Sequence, residues 1–283
     1  MNWAEEKADW PNADLSRFVE TRGHRWHVQR GGAGPKVLLI HGAGGATHSW
    51  RDMLPMLAEG ADVLAVDLPG HGFTTTNGSA RSSLPAMAED LRSLLDAEDF
   101  VPRLTVGHSA GAAIALQMAR GRAMGDILAL NAALRPFEGV AGAVFPPLAK
   151  LLSLNPFTAR FFAWSASGSS SVRNLIEGTG SRLDARGLAL YQKVVSDPRH
   201  VDGALKMMAR WDLAPLLRAL PEIDATVTFA IGLEDRTVPP AGTRAEAARM
   251  SKVRVEEYPG FGHLMHEEHP RIFVDLARES LDG

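Results

Sequence analysis

The stretch Leu104-Thr105-Val106-Gly107-His108-Ser109-Ala110-Gly111, running on through Ala119 as AGAAIALQMA from Ala110, decides the fold. Leu104 to Val106 form a short apolar run of the kind that makes a buried strand, and Ala110 to Ala119 suit a buried helix. Between them lies Gly-x-Ser-x-Gly at 107–111. A serine on so sharp a strand-to-helix turn holds its Oγ clear of the backbone, near a helix N-terminus. Strand and helix approach closely there, so a Cβ at Gly107 or Gly111 would clash. The plain reading is a small-residue turn, because Gly and Ser are common. The functional reading makes Ser109 a nucleophile. It requires a base, an acid and an oxyanion hole elsewhere in the chain.

Short strands and helices alternate on either side of this turn. The segment 17–30 reads as a hairpin turning near Gly23, at a sheet edge. Lys36 to Ile40 (KVLLI) is a strand ending in His41-Gly42, and a helix is expected over Ser49 to Ala58. Ala61 to Val66 is the next strand, followed by the loop Asp67-Leu68-Pro69-Gly70-His71-Gly72. Leu84 to Leu95 carries helical spacing, and Asp126 to Leu130 is another strand. This pattern predicts an α/β fold, a mostly parallel central sheet flanked by helices on both faces. The alternation stops near Asn131. From Ala133 to Leu213 the spacing is helical, aromatics are frequent and no strand is evident, apart from a short flexible loop expected at Ser165 to Ser171. The β pattern returns with Ala225 to Ile231, a helix over Pro240 to Met250, a strand at Val253 to Tyr258 and a final helix from Pro270 to Leu281. Residues 133–213 are therefore read as a helical cap inserted into one core domain, 1–132 plus 214–283.

The returning strands carry the missing partners. Asp235, in Gly232-Leu233-Glu234-Asp235-Arg236, follows a strand, and open α/β sheets bind ligands at the C-terminal ends of their strands. Asp235 could orient a histidine, with Glu234 as a competitor; a turn or capping role is the plain alternative. His263, in Gly260-Phe261-Gly262-His263, follows the last strand and could serve as base; its plain reading is one surface histidine among ten. The chain order Ser109, Asp235, His263 is the order expected of a nucleophile, acid and base on this kind of sheet. The oxyanion hole needs two backbone N–H groups. Ala110 and Ala43, the latter in His41-Gly42-Ala43-Gly44-Gly45, are the expected donors.

Other chemistries fit poorly. Gly42-Ala43-Gly44 follows a strand, but Thr47 stands where a dinucleotide fingerprint needs its last glycine, and no phosphate-binding loop occurs. His263, His266 and His269 are spaced by three, which invites a metal, but Pro270 interrupts a common helical face. No metal and no cofactor are expected. The cap aromatics Phe137, Phe145, Phe157, Phe161, Phe162, Trp164, Tyr191 and Trp211, with Met207 and Met208, read mainly as its own core. A few of them would line a large apolar pocket. The stretch Phe157 to Trp164 offers a weak membrane-surface signal.

Composition sets the outer bounds. The chain has 283 residues, 45% hydrophobic and 22% charged, with net charge −3 and no cysteine. Disulfides and thiolate zinc sites are excluded, and no general attraction to nucleic acid is expected. The N-terminal MNWAEEKADW has no apolar core of a signal peptide, and no run is long enough to span a bilayer, so a cytoplasmic location is expected.

Taken together, His41-Gly42, Asp67 to Gly72, Gly107 to Gly111, Gly232-x-x-Asp235 with Pro239, and Gly262-His263 resemble the α/β-hydrolase superfamily over nearly the whole chain. That resemblance implies the α/β-hydrolase fold with a cap, and serine chemistry on an ester, thioester or related bond. A serine at 109 speaks against the aspartate-nucleophile branches of the fold. Thr47 to Asp52, Leu130 to Leu134, Leu175 to Ser181 and Ala209 to Leu213 further resemble the magnesium-chelatase accessory proteins of bacteriochlorophyll biosynthesis. This implies a tetrapyrrole-like substrate or ligand, magnesium-chelatase subunits as partners, and a place at or near the photosynthetic membrane. It also keeps open a non-catalytic porphyrin-binding role with a vestigial triad.

Overall fold

The computed structural model describes residues 1–76, 81–121, 124–135 and 169–282. After a short helix α1 (Trp3–Glu6), the chain forms β1 (Ser16–Thr21), β2 (His24–Gly31), β3 (Lys36–Ile40), α2 (Met53–Leu57), β4 (Asp62–Val66), β5 (Thr75–Thr76) and α3 (Leu84–Ala97). Next come β6 (Leu104–His108), α4 (Ala110–Ala119) and β7 (Asp126–Leu130). Four helices follow: α5 (Ser169–Gly178), α6 (Ala185–Val195), α7 (Pro198–Ala209) and α8 (Ala214–Ala219). The chain ends with β8 (Val227–Gly232), α9 (Pro240–Ala247), β9 (Val253–Tyr258), α10 (Met265–Glu268) and α11 (Pro270–Asp282).

All nine strands form one sheet in the order β1-β2-β4-β3-β6-β7-β8-β9, with β5 added on β2. From β4 to β9 along the sheet every pairing is parallel, and the antiparallel pairings are those of β2 with β1, β4 and β5. Parallel strands need both faces covered. Accordingly β6 is buried from end to end. One face packs Leu38, Ile40, Trp26 and Phe229 against α3 and α4. The other packs Leu39, Val106, Leu128 and Leu130 against α2 and α11 through Leu54, Phe273 and Val274. From β3 the chain crosses one way to β4, and β6 lies on the other side. The loops leaving β3 and β6 therefore part from each other, and such a switch point is where open α/β sheets bind their ligands.

Two local expectations are corrected. The helix expected over Ser49 to Ala58 is broken into a 3₁₀ turn at Thr47–Trp50 and α2 from Met53. Pro55 has no N–H and is tolerated only in a first helical turn, so the helix starts just before it. The Arg51 carbonyl that Pro55 cannot bond accepts Asn12 Nδ2 instead, at 3.1 Å. Ser169 to Ser171, expected in a flexible loop, begin α5. The apolar residues that follow, Val172 and Ile176, are four apart and buried on one face. Phe137, Phe145 and the stretch Phe157 to Trp164 lie outside the described residues.

Candidate active site

Ser109 sits between β6 and α4 with φ 53° and ψ −115°, a backbone conformation that costs a non-glycine residue free energy. The surroundings enforce it. Ser109 N–H donates to the Leu130 carbonyl at 2.9 Å, and its own carbonyl accepts from Ala112 and Ala133. A Cβ on Gly107 would lie 2.6 Å from the Ala112 backbone, and one on Gly111 only 2.1 Å from the Ile40 carbonyl. The two glycines are thus where the strand, turn and helix touch backbone to backbone. Gly42 has the same role toward the β3 loop, since its Cβ would meet Ser109 Cβ at 3.0 Å.

Asp235 follows β8 and is buried, while its neighbour Glu234 is exposed. Asp235 Oδ1 accepts the N–H groups of Thr237 (2.7 Å) and Val238 (2.8 Å). Its Oδ2 lies 2.7 Å from His263 Nδ1. The carboxylate is therefore held by the turn that follows it and presents one oxygen to the imidazole. No hydrogen bond joins Ser109 Oγ to the His263 ring. Ala43 stands at the exposed tip of a turn closed by Gly45 N–H to the Gly42 carbonyl at 3.0 Å. Among the described residues the Ala43 and Ala110 amides have no acceptor.

Several residues that hold this arrangement were not singled out for a role from sequence. Asn131, at the end of β7 with φ 45°, donates from Nδ2 to the carbonyls of Gly262 (2.9 Å) and His263 (3.0 Å). Its Oδ1 accepts Gly232 N–H at 2.7 Å. One side chain thereby ties the ends of β7 and β8 to the histidine loop. Its signal was an asparagine immediately after a strand, a residue type that tolerates the left-handed conformation. His108 Nε2 donates to the His263 carbonyl at 2.9 Å. Burial, and the nearby His266 and His263, push the His108 imidazole well below its ordinary value, so it stays neutral.

The chain just after α5 forms a clip. The Thr179 carbonyl accepts both Arg236 N–H (3.1 Å) and His263 N–H (3.3 Å), joining the acid loop to the histidine loop. Gly180 has φ 88°, and a Cβ there would lie 2.0 Å from the Glu234 carbonyl. A Cβ on Gly262 would lie 2.3 Å from Gly180. Ser181 Oγ then accepts Leu264 N–H at 2.8 Å. Farther along, Tyr191 of α6 donates to Glu267 Oε1 at 2.6 Å, and the buried Arg51 bonds Glu267 Oε2. Burial pushes the Glu267 carboxyl up, and Arg51 and Tyr191 oppose that.

A second serine, histidine and aspartate also align. Asp67 Oδ2 lies 2.8 Å from His27 Nδ1, and His27 Nε2 lies 3.1 Å from Ser16 Oγ. Trp3, Phe18 and Phe73 pack their rings within 5.4 Å of the His27 ring. Asp67 also accepts the amides of Thr47 and Phe73. Burial raises the Asp67 carboxyl, but His27 and the Phe73 amide outweigh it and hold it below the usual carboxylate range. This array fastens the hairpin and the β4 loop together.

The spaced histidines have three different surroundings. His263 faces Asp235, His266 is buried against Trp50 and His108, and His269 is exposed and stacked on Phe261. Among the described residues no group of three histidine or acidic side chains is placed to hold a metal ion. No described helix is long and apolar enough to cross a membrane.

Comparison with known proteins accords with this geometry. The chain is 43% identical over 259 residues to a magnesium-chelatase 30 kDa subunit from Rhodobacter capsulatus, covering 91% of each chain. It is 31% identical to a pimeloyl-[acyl-carrier protein] methyl ester esterase from Methylococcus capsulatus, covering 85% of this chain and 93% of the esterase. The crystal structure of an α/β hydrolase fold protein from Burkholderia ambifaria superposes with a TM-score of 0.79 at 22% identity, covering 94% of this chain and 98% of that one. A strained serine turn at a sheet switch point, a buried aspartate–histidine pair beyond β8 and β9, and a match of residues 37–276 to the model of the alpha/beta hydrolase family agree on one conclusion: the chain belongs to that family.

Proposed function

We propose that this protein is a serine hydrolase acting on an ester, thioester or related acyl bond, with Ser109, His263 and Asp235 as its triad. The observation that carries this reading is the 2.7 Å contact of Asp235 with His263 Nδ1, which leaves Nε2 to serve a serine already held on a strained turn. His263 Nε2 takes the Ser109 hydroxyl proton as Oγ attacks the substrate carbonyl carbon. The Ala43 and Ala110 amides stabilise the oxyanion. Collapse of the intermediate expels the leaving group, which receives the proton from His263, and water then releases the acyl group by the same steps. Asp235 fixes the tautomer and favours the imidazolium. Residues 133–213 form a cap over this site, and the compound hydrolysed belongs near the magnesium-insertion step of tetrapyrrole synthesis.

One observation favours a second reading. The relative at 43% identity is named a magnesium-chelatase subunit, which fits a porphyrin-binding accessory protein whose triad is vestigial. The two separate cleanly. A fluorophosphonate should label the wild type and not Ser109→Ala. Absence of Ser109-dependent labelling would overturn the hydrolase. Saturable protoporphyrin binding by both proteins, without labelling of either, would establish the accessory role.

A further inference from the structure

We propose that His200, on α7, is a positioning residue that sets the oxyanion turn of the site, an inference that rests on the hydrolase reading above. The turn Gly42-Ala43-Gly44-Gly45 has almost no side chain to anchor it. Gly44 has φ 75°, and a Cβ there would touch nothing within 4 Å. What fixes such a turn must grip its carbonyls, and two imidazoles do so. His41 Nδ1 donates to the Gly42 carbonyl at 2.7 Å, and His200 Nε2 donates to the Gly44 carbonyl at 3.0 Å. The two carbonyls that flank Ala43 are each held by one ring.

The other nitrogen of each ring reaches the same loop beyond β4. His41 Nε2 accepts Leu68 N–H at 3.0 Å, and His200 Nδ1 accepts Gly72 N–H at 3.0 Å. The His71 ring lies between them, 5.3 Å from His41 and 5.2 Å from His200. The bonds fix one neutral tautomer for each ring, with opposite assignments of the proton. His41 comes from the core and is adjacent to the turn in sequence. His200 arrives from a helix more than 150 residues downstream of Gly44.

The seat for His200 is built one helical turn along. A Cβ on Gly203 would lie 2.0 Å from the Gly70 carbonyl, and a Cβ on Gly70 would lie 2.9 Å from Gly203 Cα. The helix therefore touches the loop backbone to backbone, and that contact delivers His200, itself 2% exposed, to both of its partners. An Ala43 amide misplaced by a fraction of an ångström costs transition-state stabilisation while leaving ground-state binding largely intact.

The test compares His200→Asn with His200→Gln. The Asn oxygen sits near the place of Nδ1 and keeps an acceptor for Gly72, but its side chain is too short to reach Gly44. The Gln amide restores a donor near the place of Nε2. Hydrolysis of p-nitrophenyl esters and the rate of fluorophosphonate labelling are measured, together with hydrogen exchange of the peptide covering 41–50. His200→Asn should lower kcat and the labelling rate about tenfold to a hundredfold with KM within about threefold, and should speed exchange in 41–50. His200→Gln should recover to within about fivefold of wild type. A folded His200→Asn with unchanged kcat and unchanged exchange overturns the proposal, and so does a change confined to KM. If the wild type neither labels nor turns over, the hydrolase reading falls, and exchange alone decides whether His200 sets the turn.

Discussion

Acidification between pH 7 and pH 5 should destabilise this protein steeply, and the cause is its buried histidines. Nine of the ten histidines are almost fully buried. Burial holds His200 down to about 4 and His266 to about 3, the latter helped by His263 and Arg51. An unfolded imidazole titrates near 6.5. Across pH 7 to 5 the unfolded chain therefore takes up protons that the folded chain refuses, so stability falls as pH falls. At pH 5 an unfolded histidine is mostly protonated and either folded one is not, a difference of roughly 2 kcal/mol per residue. His200 and His266 alone should remove roughly 4 kcal/mol, against the 5–15 kcal/mol that a domain typically has. His41, His48, His71 and His108 are lowered by burial too and act in the same direction. Glu267, raised by burial against Arg51 and Tyr191, is a single group acting in the opposite direction. Urea unfolding followed by the fluorescence of the six tryptophans at pH 7, 6 and 5 measures the loss. In His200→Gln the loss between pH 7 and 5 should shrink by roughly 2 kcal/mol, whatever the variant's stability at pH 7. A wild type equally stable at pH 7 and 5, or an undiminished loss in His200→Gln, refutes the reasoning.

Other perturbations isolate single features. Ser109→Gly should be about 1–2 kcal/mol more stable than Ser109→Ala in urea unfolding, because only glycine relaxes the strained turn; equal stabilities would remove the strain argument. Gly203→Ala gains helix propensity but forces α7 away from Gly70, so a net loss of about 1–3 kcal/mol is expected in thermal unfolding. A stabilised variant would mean that the contact gives way freely. Asp235→Asn should lower kcat on the order of a thousandfold or more with its circular dichroism unchanged, and a loss under tenfold would end its orienting role. Arg51→Met should cost about 3–5 kcal/mol because Glu267 is left buried without its cation, and Arg51→Met with Glu267→Leu should regain most of it. A double variant as unstable as the single one contradicts this.

The sheet was legible because hydrophobic runs of fixed length ended in glycine and loop residues, so β3, β6, β7 and β9 stand where their patterns put them. Ser109, Asp235 and His263 were legible as candidates for a related reason, each being a chemically distinctive residue in the loop that leaves a strand. What escaped was structure made by backbone groups. The Thr179 carbonyl that joins two loops has no signature in a threonine, and Gly203 in a helix reads as a weakness rather than a contact. The early break in the helix before α2 was written in Pro55, but apolar spacing masked it. Histidines are silent in a different way. A histidine that fastens a loop and a candidate base are the same letter, and only their partners separate His27, bonded to Asp67 and Ser16, from His263, bonded to Asp235.

Two glycines of the 133–213 segment touch the loops beyond the sheet directly. Gly180 meets Gly262 and Glu234 beside the loops that carry Asp235 and His263, and Gly203 meets Gly70 in the loop beyond β4. Both are backbone-to-backbone contacts, which cannot adjust by changing rotamers as side-chain packing can. Each lies within three residues of a hydrogen bond to a loop of the site, through Thr179 in one case and His200 in the other. A segment that only shaped a pocket would change KM when altered. If the protein is the hydrolase proposed above, a segment that grips the loops bearing Asp235, His263 and Ala43 changes the alignment of the reacting groups, and that loss appears in kcat. Substitutions at Gly180 and Gly203 should therefore lower kcat more than they raise KM, although neither residue faces the bond to be broken.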